Sequence, residues 1–290
     1  MIMARREAGI GYALLAPSLF GIAAFLLFPI LVVIWLSMQH WDLLSPASFV
    51  GGQNFIDVFG DPGFGRSLLV TGLFVLLVIP LQTALGLFAA TLLSRGLPGS
   101  GFFRVIYVIP WICAPLALGV VWNWIFAPTG GALNALLGRN VPWLSDPVLA
   151  LPSVAAVSIW SQVGYVTLFF MAGLAAVPQE TLDAARVDGA NAVQTFWRIK
   201  LPLLRPTMFF VLVTGVISSF QAFDSIYALT PNGGPQGSTD VIATRIYAKA
   251  FKDFDVGHAS VMALVLFVIL IVVTVLQQLY FRRRITYDLA

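Results

Sequence analysis

The sequence has few charged residues. Asp, Glu, Lys and Arg make up 10% of its 290 residues, whereas an average globular protein devotes about a quarter of its residues to them. Hydrophobic residues make up 59% of the chain, and the mean hydropathy is +0.91. This composition excludes a soluble globular domain. It also excludes a disordered chain, because disorder requires low hydrophobicity.

Cysteine and histidine are scarce, and the Gly-Lys dipeptide is missing. The single cysteine, Cys113, lies in an apolar run, which excludes an intramolecular disulfide and a cysteine-rich zinc site. The two histidines, His40 and His258, are predicted at the outer edge of the membrane, where an interfacial anchor is favoured over catalysis. Without Gly-Lys there is no P-loop. We therefore expect no enzyme activity, no metal and no cofactor in this chain, and any ATPase must be another polypeptide.

Long stretches without charge predict membrane-spanning helices. Six gaps of 18 to 34 residues contain no Asp, Glu, Lys or Arg. A helix needs about 20 apolar residues to cross a bilayer, so each gap has room for one span. The sequence thus predicts an all-α polytopic membrane protein in one domain, residues 1–290, with kinks at its internal prolines. The predicted spans lie near residues 12–38, 68–93, 105–127, 152–176, 206–229 and 259–281.

The distribution of Lys and Arg predicts the orientation. With the N-terminus inside, the cytoplasmic segments hold 11 of these residues and the outer loops hold five, as the positive-inside rule requires. Both termini are therefore expected in the cytoplasm. The basic triplet Arg282, Arg283 and Arg284 is interpreted as an anchor to lipid headgroups rather than a nucleic-acid site. Trp122 and Trp124, near the outer end of span three, fit an interfacial aromatic belt.

The cytoplasmic connection after span four, residues 178–205, is longer than a turn requires. Pro178 suits a first helical turn, and Gly189 can take the left-handed conformation that ends a helix. A second helix follows and is predicted to end at Pro202; its apolar face consists of Val193, Phe196, Trp197 and Leu201. From these residues alone, two interpretations stay open: an amphipathic hairpin in the headgroup layer, or a docking surface for a cytoplasmic partner.

This connection resembles the EAA signature of membrane permeases in bacterial ABC importers, E-A-A-x3-G-x9-I-x-L-P. Asp183-Ala184-Ala185, Gly189 and Ile199-Lys200-Leu201-Pro202 have its spacing, with Asp183 in place of Glu. Segments at 49–55, 101–134 and 220–239 resemble the carbohydrate-type, maltose-permease-like branch of that family, and the resemblance extends over residues 12–285.

The resemblance implies a type I ABC importer permease-like fold in a bacterial plasma membrane. It implies a heterodimer with a second homologous permease, an ABC ATPase dimer that binds ATP and Mg, and an extracytoplasmic solute-binding protein. It also implies that residues 178–205, which we call the coupling loop, dock in a groove of the ATPase. The coupling residues are then Glu180, Asp183, Ala184, Ala185, Asp188, Gly189, Phe196, Trp197, Ile199, Leu201 and Pro202.

Polar residues inside spans four and five are candidates for a solute pathway. They recur at helical spacing as Ser158, Gln162 and Tyr165, and as Thr214, Ser218, Gln221 and Ser225. Asp224 is the one acid assigned within a span or at its mouth. A carboxylate, amides, hydroxyls and aromatic rings are the groups that recognise sugars, whereas hydrogen bonding between helices is the alternative role. The pathway hypothesis names Gln162, Tyr165, Ser218, Gln221, Asp224 and Tyr227.

These features predict a permease subunit that moves a sugar or sugar-like solute inwards by alternating access. A secondary transporter driven by an ion gradient is the alternative, but the halves 1–145 and 146–290 show no matching pattern, and only Asp224 could couple a proton. A channel lacks a filter-like segment. The sequence does not specify the solute among disaccharides, amino sugars, polyols and glycerol phosphodiesters.

Overall fold

The structure, a computed structural model, describes residues 12, 14–96 and 99–282. The basic residues Arg5, Arg6, Arg283 and Arg284, which support the predicted orientation, lie outside the described residues. The described part is helical except for loops and a short antiparallel hairpin, in which β1 (Gln39–His40) pairs with β2 (Ser48–Phe49). The all-α prediction is therefore confirmed.

Thirteen helices follow one another along the described residues. They are α1 (Leu14–Leu36), α2 (Gln53–Gly60), α3 (Pro62–Leu93), α4 (Ser100–Ile112), α5 (Pro115–Ile125), α6 (Ala132–Leu137), α7 (Ala150–Ala175), α8 (Gln179–Val187), α9 (Ala192–Leu203), α10 (Arg205–Phe220), α11 (Asp224–Leu229), α12 (Ile242–Phe251) and α13 (Val256–Arg282). Short π-helical stretches, Ala23–Leu27 and Phe196–Lys200, lie within α1 and α9. Two 3-10 turns, Pro231–Gly233 and Pro235–Gly237, separate α11 from α12.

Four helices of the described part are long and apolar enough to cross a membrane: α1, α3, α7 and α13. Two bent pairs bring the number of candidate spans to six if each pair counts as one span. In the first pair, α4 and α5 meet at 98°, and in the second, α9 and α10 meet at 65°. The chain is thus a multi-pass membrane protein in which two candidate spans are sharply bent.

Span three was predicted over 105–127 with kinks at its prolines, and in the structure this stretch is divided into two helices by a break at Cys113 and Ala114. Ala114 is extended (φ −60°, ψ 126°), as expected for a residue before a proline, here Pro115. The predicted kink is therefore a complete break. Pro110, by contrast, lies inside α4 without ending it.

Span five was predicted over 206–229, but α10 ends at Phe220 and α11 begins at Asp224. No proline or glycine causes this break. Instead, α11 packs closely against α5, where a Cβ atom added at Gly119 would overlap the Cβ atom of Ala228. Tertiary packing therefore overrides the local helical pattern of the span.

The end of the second coupling-loop helix also differs from the prediction. The helix continues past Pro202 to Leu203, and the next helix begins at Arg205 with Pro206 in its first turn. The π-helical stretch Phe196–Lys200 ends two residues before Pro202. A wider turn at this point relieves the clash between a proline ring and the preceding turn, so Pro202 does not stop the helix.

The chain forms two compact units. The first comprises Met1–Phe64 and Ile246–Phe267. In it, the buried side-chain amide of Asn54 donates hydrogen bonds to the carbonyls of Ser37 and Gln39, at 2.9 and 2.8 Å. His258 lies with Nδ1 2.7 Å from Oδ1 of Asp255. These contacts give Asn54 and His258 structural partners within this unit.

The second unit comprises Gly65–Arg245 and Val268–Ala290. Its core is formed by side chains of α3, α7 and α11, including Phe74, Val154, Val157, Ile226 and Leu229. Helix α7 packs so closely on α4 that a Cβ atom added at Gly164 would overlap the carbonyl oxygen of Tyr107. Helix α7 is therefore the element against which the neighbouring helices are positioned.

Candidate functional site

The first helix of the coupling loop, α8, ends in a hydrogen-bonded turn that requires glycine. The backbone N–H of Gly189 donates to the carbonyl of Arg186 at 3.1 Å, and the N–H of Ala190 donates to the carbonyl of Ala185 at 2.9 Å. This pair of bonds defines a Schellman motif. Gly189 has φ +77°, a backbone conformation that residues with a Cβ atom adopt only at a cost.

The second helix, α9, begins with a reciprocal cap. The side chain of Asn191 accepts a hydrogen bond from the backbone N–H of Gln194, and the Gln194 side chain accepts one from the N–H of Asn191, both at 2.9 Å. Such a capping box satisfies two N–H groups that the first turn of a helix leaves without partners. The helix–turn–helix geometry of the loop is therefore fixed by local hydrogen bonds.

The coupling loop exposes apolar side chains. The exposed fractions are 88% for Val187, 66% for Val193 and 61% for Trp197. The ring of Phe196 is half-buried and lies edge-on to that of Trp197, with centroids 5.5 Å apart. Exposed apolar side chains grouped in this way mark a surface that another molecule covers.

Exposed carboxylates accompany these apolar groups. Asp183 forms an ion pair with Arg186 at 2.8 Å, and Glu180 and Asp188 are exposed. The remaining residues of the predicted coupling set are divided by burial: Ala184 is exposed, Ala185 is buried, and Ile199, Leu201 and Pro202 are half-buried. The structure thus groups the predicted set within one short segment, part facing outwards and part packed inwards.

The two helices that flank the coupling loop also line a cavity. The cavity has a volume of about 230 Å³ and lies in the second unit, among α3, α4, α5, α7, α10 and the segment 221–225. Five of the six predicted pathway residues line it: Gln162, Tyr165, Ser218, Gln221 and Asp224. Ser158, Thr214 and Ser225 line it as well. Both polar stripes therefore reach the same space.

Tyr227 is the sixth predicted pathway residue, and it is not among the residues that line the cavity. Its ring stacks on that of Phe223, with centroids 5.2 Å apart and planes at 20°. Phe223 itself lines the cavity. Tyr227 therefore packs against the ring of Phe223, a lining residue, and does not line the cavity itself. The aromatic Trp160 packs against Trp122, with centroids 5.2 Å apart.

Several lining residues were not predicted from the sequence. The ring of Trp111 stacks on that of Tyr165, with centroids 4.9 Å apart and planes at 27°. Gln82, on α3, is 3% exposed and also lines the cavity. A signal for it exists, because Gln82 is the only amide in the charge-free gap between Arg66 and Arg95.

The polar groups of the cavity differ in how they are satisfied. The hydroxyls of Thr214 and Ser161 donate to carbonyls of their own helices, at 2.8 and 2.9 Å, as hydroxyls in membrane helices often do. Oε1 of Gln82 and Oγ of Ser158 are enclosed and have no hydrogen-bond partner within the described residues. Leaving such a buried group unsatisfied costs about 1–3 kcal/mol.

Helices α7 and α10 connect the cavity to the coupling loop. Helix α7 lines the cavity from Val157 to Val166 and then leads into α8. Helix α10 begins after the 65° bend at Leu204, which is fully buried. A Cβ atom added at Gly173 of α7 would lie 2.8 Å from Cδ2 of Leu204, so the two helices are in tight contact beside the loop.

Comparison with known sequences gives a consistent result. A model of the family described as binding-protein-dependent transport system inner membrane component matches residues 82–287. The sn-glycerol-3-phosphate transport system permease protein UgpA of Agrobacterium fabrum is 35% identical over 95% of this chain and 96% of that protein. The trehalose/maltose transport system permease protein MalF of Thermococcus litoralis is 33% identical over 93% of this chain and 92% of that protein.

Comparison with solved structures agrees. A chain in the crystal structure of a bacterial ABC transporter involved in the import of the acidic polysaccharide alginate matches with a TM-score of 0.84 and 21% identity. The match covers 97% of this chain and 98% of that chain. A chain of a bacterial alginate ABC transporter in complex with alginate pentasaccharide-bound periplasmic protein also matches with a TM-score of 0.84. The predicted ABC importer permease-like fold is thereby confirmed.

Proposed function

We propose a function on the premise that this chain belongs to the family of binding-protein-dependent transport system inner membrane components. It is a multi-pass permease subunit of an ABC importer. The proposed function is to move a sugar or sugar-like solute into the cytoplasm by alternating access, driven by ATP that a separate subunit hydrolyses. The single observation that carries this proposal is the pair of helices, α7 and α10, that joins the exposed coupling loop to the polar cavity.

In the proposed mechanism, the coupling loop docks on an ABC ATPase through its exposed apolar side chains, Val187, Val193 and Trp197. ATP and Mg are bound by that ATPase, and this chain needs no metal or cofactor of its own. When the ATPase dimer closes on ATP, the loop follows it. Because α7 and α10 are in tight contact beside the loop at Gly173 and Leu204, the displacement reaches the cavity lining and changes the side from which the cavity is open.

The proposed solute class rests on the cavity and on the relatives. Amides, hydroxyls and aromatic rings line the cavity, and these groups bind the hydroxyls and the apolar faces of sugars. Among the similar proteins, one is named for trehalose and maltose and another for sn-glycerol-3-phosphate.

The proposed assembly contains a second homologous permease, an ABC ATPase dimer and an extracytoplasmic solute-binding protein. Both termini face the cytoplasm, with lipid headgroups around the basic C-terminal residues. The periplasmic protein in the alginate transporter complex supports the presence of a binding protein. Purification of the tagged chain from its native membrane in mild detergent, followed by mass spectrometry, should recover all three partners. Recovery of the chain alone would instead favour a carrier driven by an ion gradient.

The coupling role is tested by replacing Gly189 with valine in the purified complex. Gly189→Val forces a β-branched residue to φ +77°, which costs on the order of 1–3 kcal/mol and reshapes the Schellman turn. We expect stimulation of ATP hydrolysis by the solute-loaded binding protein to fall at least about tenfold, because the strain disrupts the docked geometry of the loop.

Gly138 provides a matched control. It also ends a helix in the left-handed conformation, with φ +65°, and neither glycine has an atom within 4 Å of an added Cβ. Gly138→Val should therefore impose similar backbone strain outside the coupling loop and leave stimulation close to that of the wild type. Equal losses in the two variants, or no loss in Gly189→Val, would contradict the coupling role of the loop.

A further inference from the structure

Gln82 holds an unusual position between two helices. Its side chain is 3% exposed on α3 and lines the cavity. Its amide nitrogen lies 3.0 Å from the position that a Cβ atom at Gly215 of α10 would occupy. Because Gly215 has no side chain, there is space for the Gln82 amide beside it. The amide is therefore confined between α3 and α10 at the cavity wall.

The oxygen atom of this confined amide lacks a hydrogen-bond partner within the described residues. Oε1 of Gln82 is enclosed and unpartnered within the described residues, as is Oγ of Ser158 on the facing helix α7. If the amide were flipped, its nitrogen would occupy the position of Oε1, and this nitrogen would need a hydrogen-bond acceptor in the same place. A hydroxyl group both donates and accepts hydrogen bonds, so it can satisfy either orientation. Water can do so while the cavity is empty, and a solute hydroxyl can replace that water.

The charge of the cavity restricts the solute further. Among the residues that line it, Asp224 carries the one carboxylate, and none is Lys, Arg or His. An anionic solute would meet this carboxylate without a compensating cation from this lining, and like charges that face each other disfavour binding. The stacked rings of Trp111 and Tyr165 offer an apolar surface beside the polar groups.

We propose that Gln82 is a specificity-determining residue that binds a hydroxyl group of an uncharged, polyhydroxylated solute in this cavity. The inference rests on the proposed import function and narrows its solute class. The proposal excludes phosphorylated compounds and uronic acids as solutes of this chain, although one of its relatives is named for sn-glycerol-3-phosphate.

The test uses the complete importer, purified with its co-purifying partners and reconstituted in proteoliposomes that enclose ATP. Uptake is measured for two pools of radiolabelled probes: trehalose, maltose and glycerol as neutral compounds, and sn-glycerol 3-phosphate and glucuronate as anions. We expect ATP-dependent uptake from the neutral pool. Gln82→Met keeps the length of the side chain but removes its hydrogen-bonding groups, so the KM for the neutral probe should rise about tenfold, with a smaller change in maximal rate.

Gln277 provides the matched control, because its Oε1 is also enclosed and unpartnered within the described residues, but Gln277 does not line the cavity. Gln277→Met should leave the KM within about twofold of the wild type. Gly215→Ala is a second test of the same contact, because its methyl group would lie 3.0 Å from the Gln82 amide nitrogen and should also raise the KM.

The outcomes separate the two proposals. Uptake of an anionic probe, or an unchanged KM in both Gln82→Met and Gly215→Ala, would overturn the assignment of Gln82 and leave the import function standing. An equal rise of the KM in Gln277→Met would reduce Gln82 to a structural role. If an intact complex shows no ATP-dependent uptake from either pool, the proposed import function fails, and the assignment of Gln82 fails with it.

Discussion

The coupling loop and the cavity contrast in polarity: the loop exposes apolar side chains, whereas the cavity places polar side chains among apolar helices. In the loop, the apolar side chains of Val187 and Trp197 are exposed, with 88% and 61% of their surfaces accessible. In the cavity, the amides of Gln82 and Gln162 lie among apolar helices. By the general rules of burial, each arrangement is unfavourable in the isolated chain. Each becomes favourable when a partner of matching polarity binds: a protein surface at the loop, and a polar solute in the cavity.

This comparison predicts that removing a side chain that contacts a partner, in either region, impairs function without lowering the stability of the chain. A residue whose role is to contact a partner makes few contacts in the isolated chain, so its loss costs little on unfolding. Substitution of residues that pack helices together should instead lower the stability of the chain. Gly164, where a Cβ atom would overlap the Tyr107 carbonyl, is such a packing residue.

The largest effect is expected for Trp197→Ala. Aromatic residues at the centre of an interface often contribute about 2 kcal/mol or more to binding, which corresponds to about a 30-fold change in affinity. Stimulated ATP hydrolysis and uptake should fall accordingly in the purified complex. The midpoint of thermal unfolding of the chain should hardly change, because Trp197 is largely exposed.

Trp124 is a suitable control because it is also 61% exposed but belongs to the predicted outer aromatic belt. Trp124→Ala should leave the stimulation of ATP hydrolysis close to the wild-type value. If Trp197→Ala instead lowered the unfolding midpoint as strongly as it lowered activity, the loop would be a packed structural element, and the comparison with the cavity would fail.

How much the sequence predicts differs between these two regions, for a physical reason. The loop is one continuous segment whose signals are local: Pro178 precedes its first helix and Gly189 ends it. The capping box also has a local signature, with Asn191 and Gln194 three residues apart. Local hydrogen bonds determine the helix–turn–helix, so local sequence is sufficient to predict it, although the end of the second helix at Leu203 was not predicted.

The cavity is assembled from separate helices, and only part of it was predictable. The period of 3.6 residues placed Gln162 and Ser218 on polar stripes, because each stripe lies within one helix. The contact between Gln82 and Gly215 joins two distant segments, and no pattern within either segment reveals it. The break after Phe220 was missed for the same reason, since it depends on the packing of α11 against α5.

A smaller effect is expected for Gln162→Leu in the cavity. Uptake should fall about tenfold if the amide binds the solute with a typical hydrogen bond. Thermal stability should stay equal or increase, because an apolar side chain of similar size replaces an amide among apolar helices. Uptake and the unfolding midpoint should be measured on the same preparation. A loss of stability with unchanged uptake would identify Gln162 as a residue that joins helices by hydrogen bonding.

The smallest effect is expected for Asp183, where the sequence departs from the EAA signature. The carboxylate of Asp183 accepts hydrogen bonds from Arg186 and Gln179 within the same helix, at 2.8 and 3.0 Å, and these groups are exposed. Exposed ion pairs contribute about 0.2–1 kcal/mol. Asp183→Asn should therefore change the stimulation of ATP hydrolysis by no more than about fivefold. Asp183→Glu, which restores the residue of the signature, should change it less.

The two Asp183 variants also bear on how the loop docks. If Asp183 serves only its own helix, Asn should weaken coupling slightly and Glu should leave it nearly unchanged, because a glutamate can still pair with Arg186 one turn away. If its carboxylate contacts the ATPase directly, the loss in Asp183→Asn should approach that in Trp197→Ala. The ratio of the two losses, measured in one complex at one salt concentration, therefore separates apolar docking from docking that depends on charge.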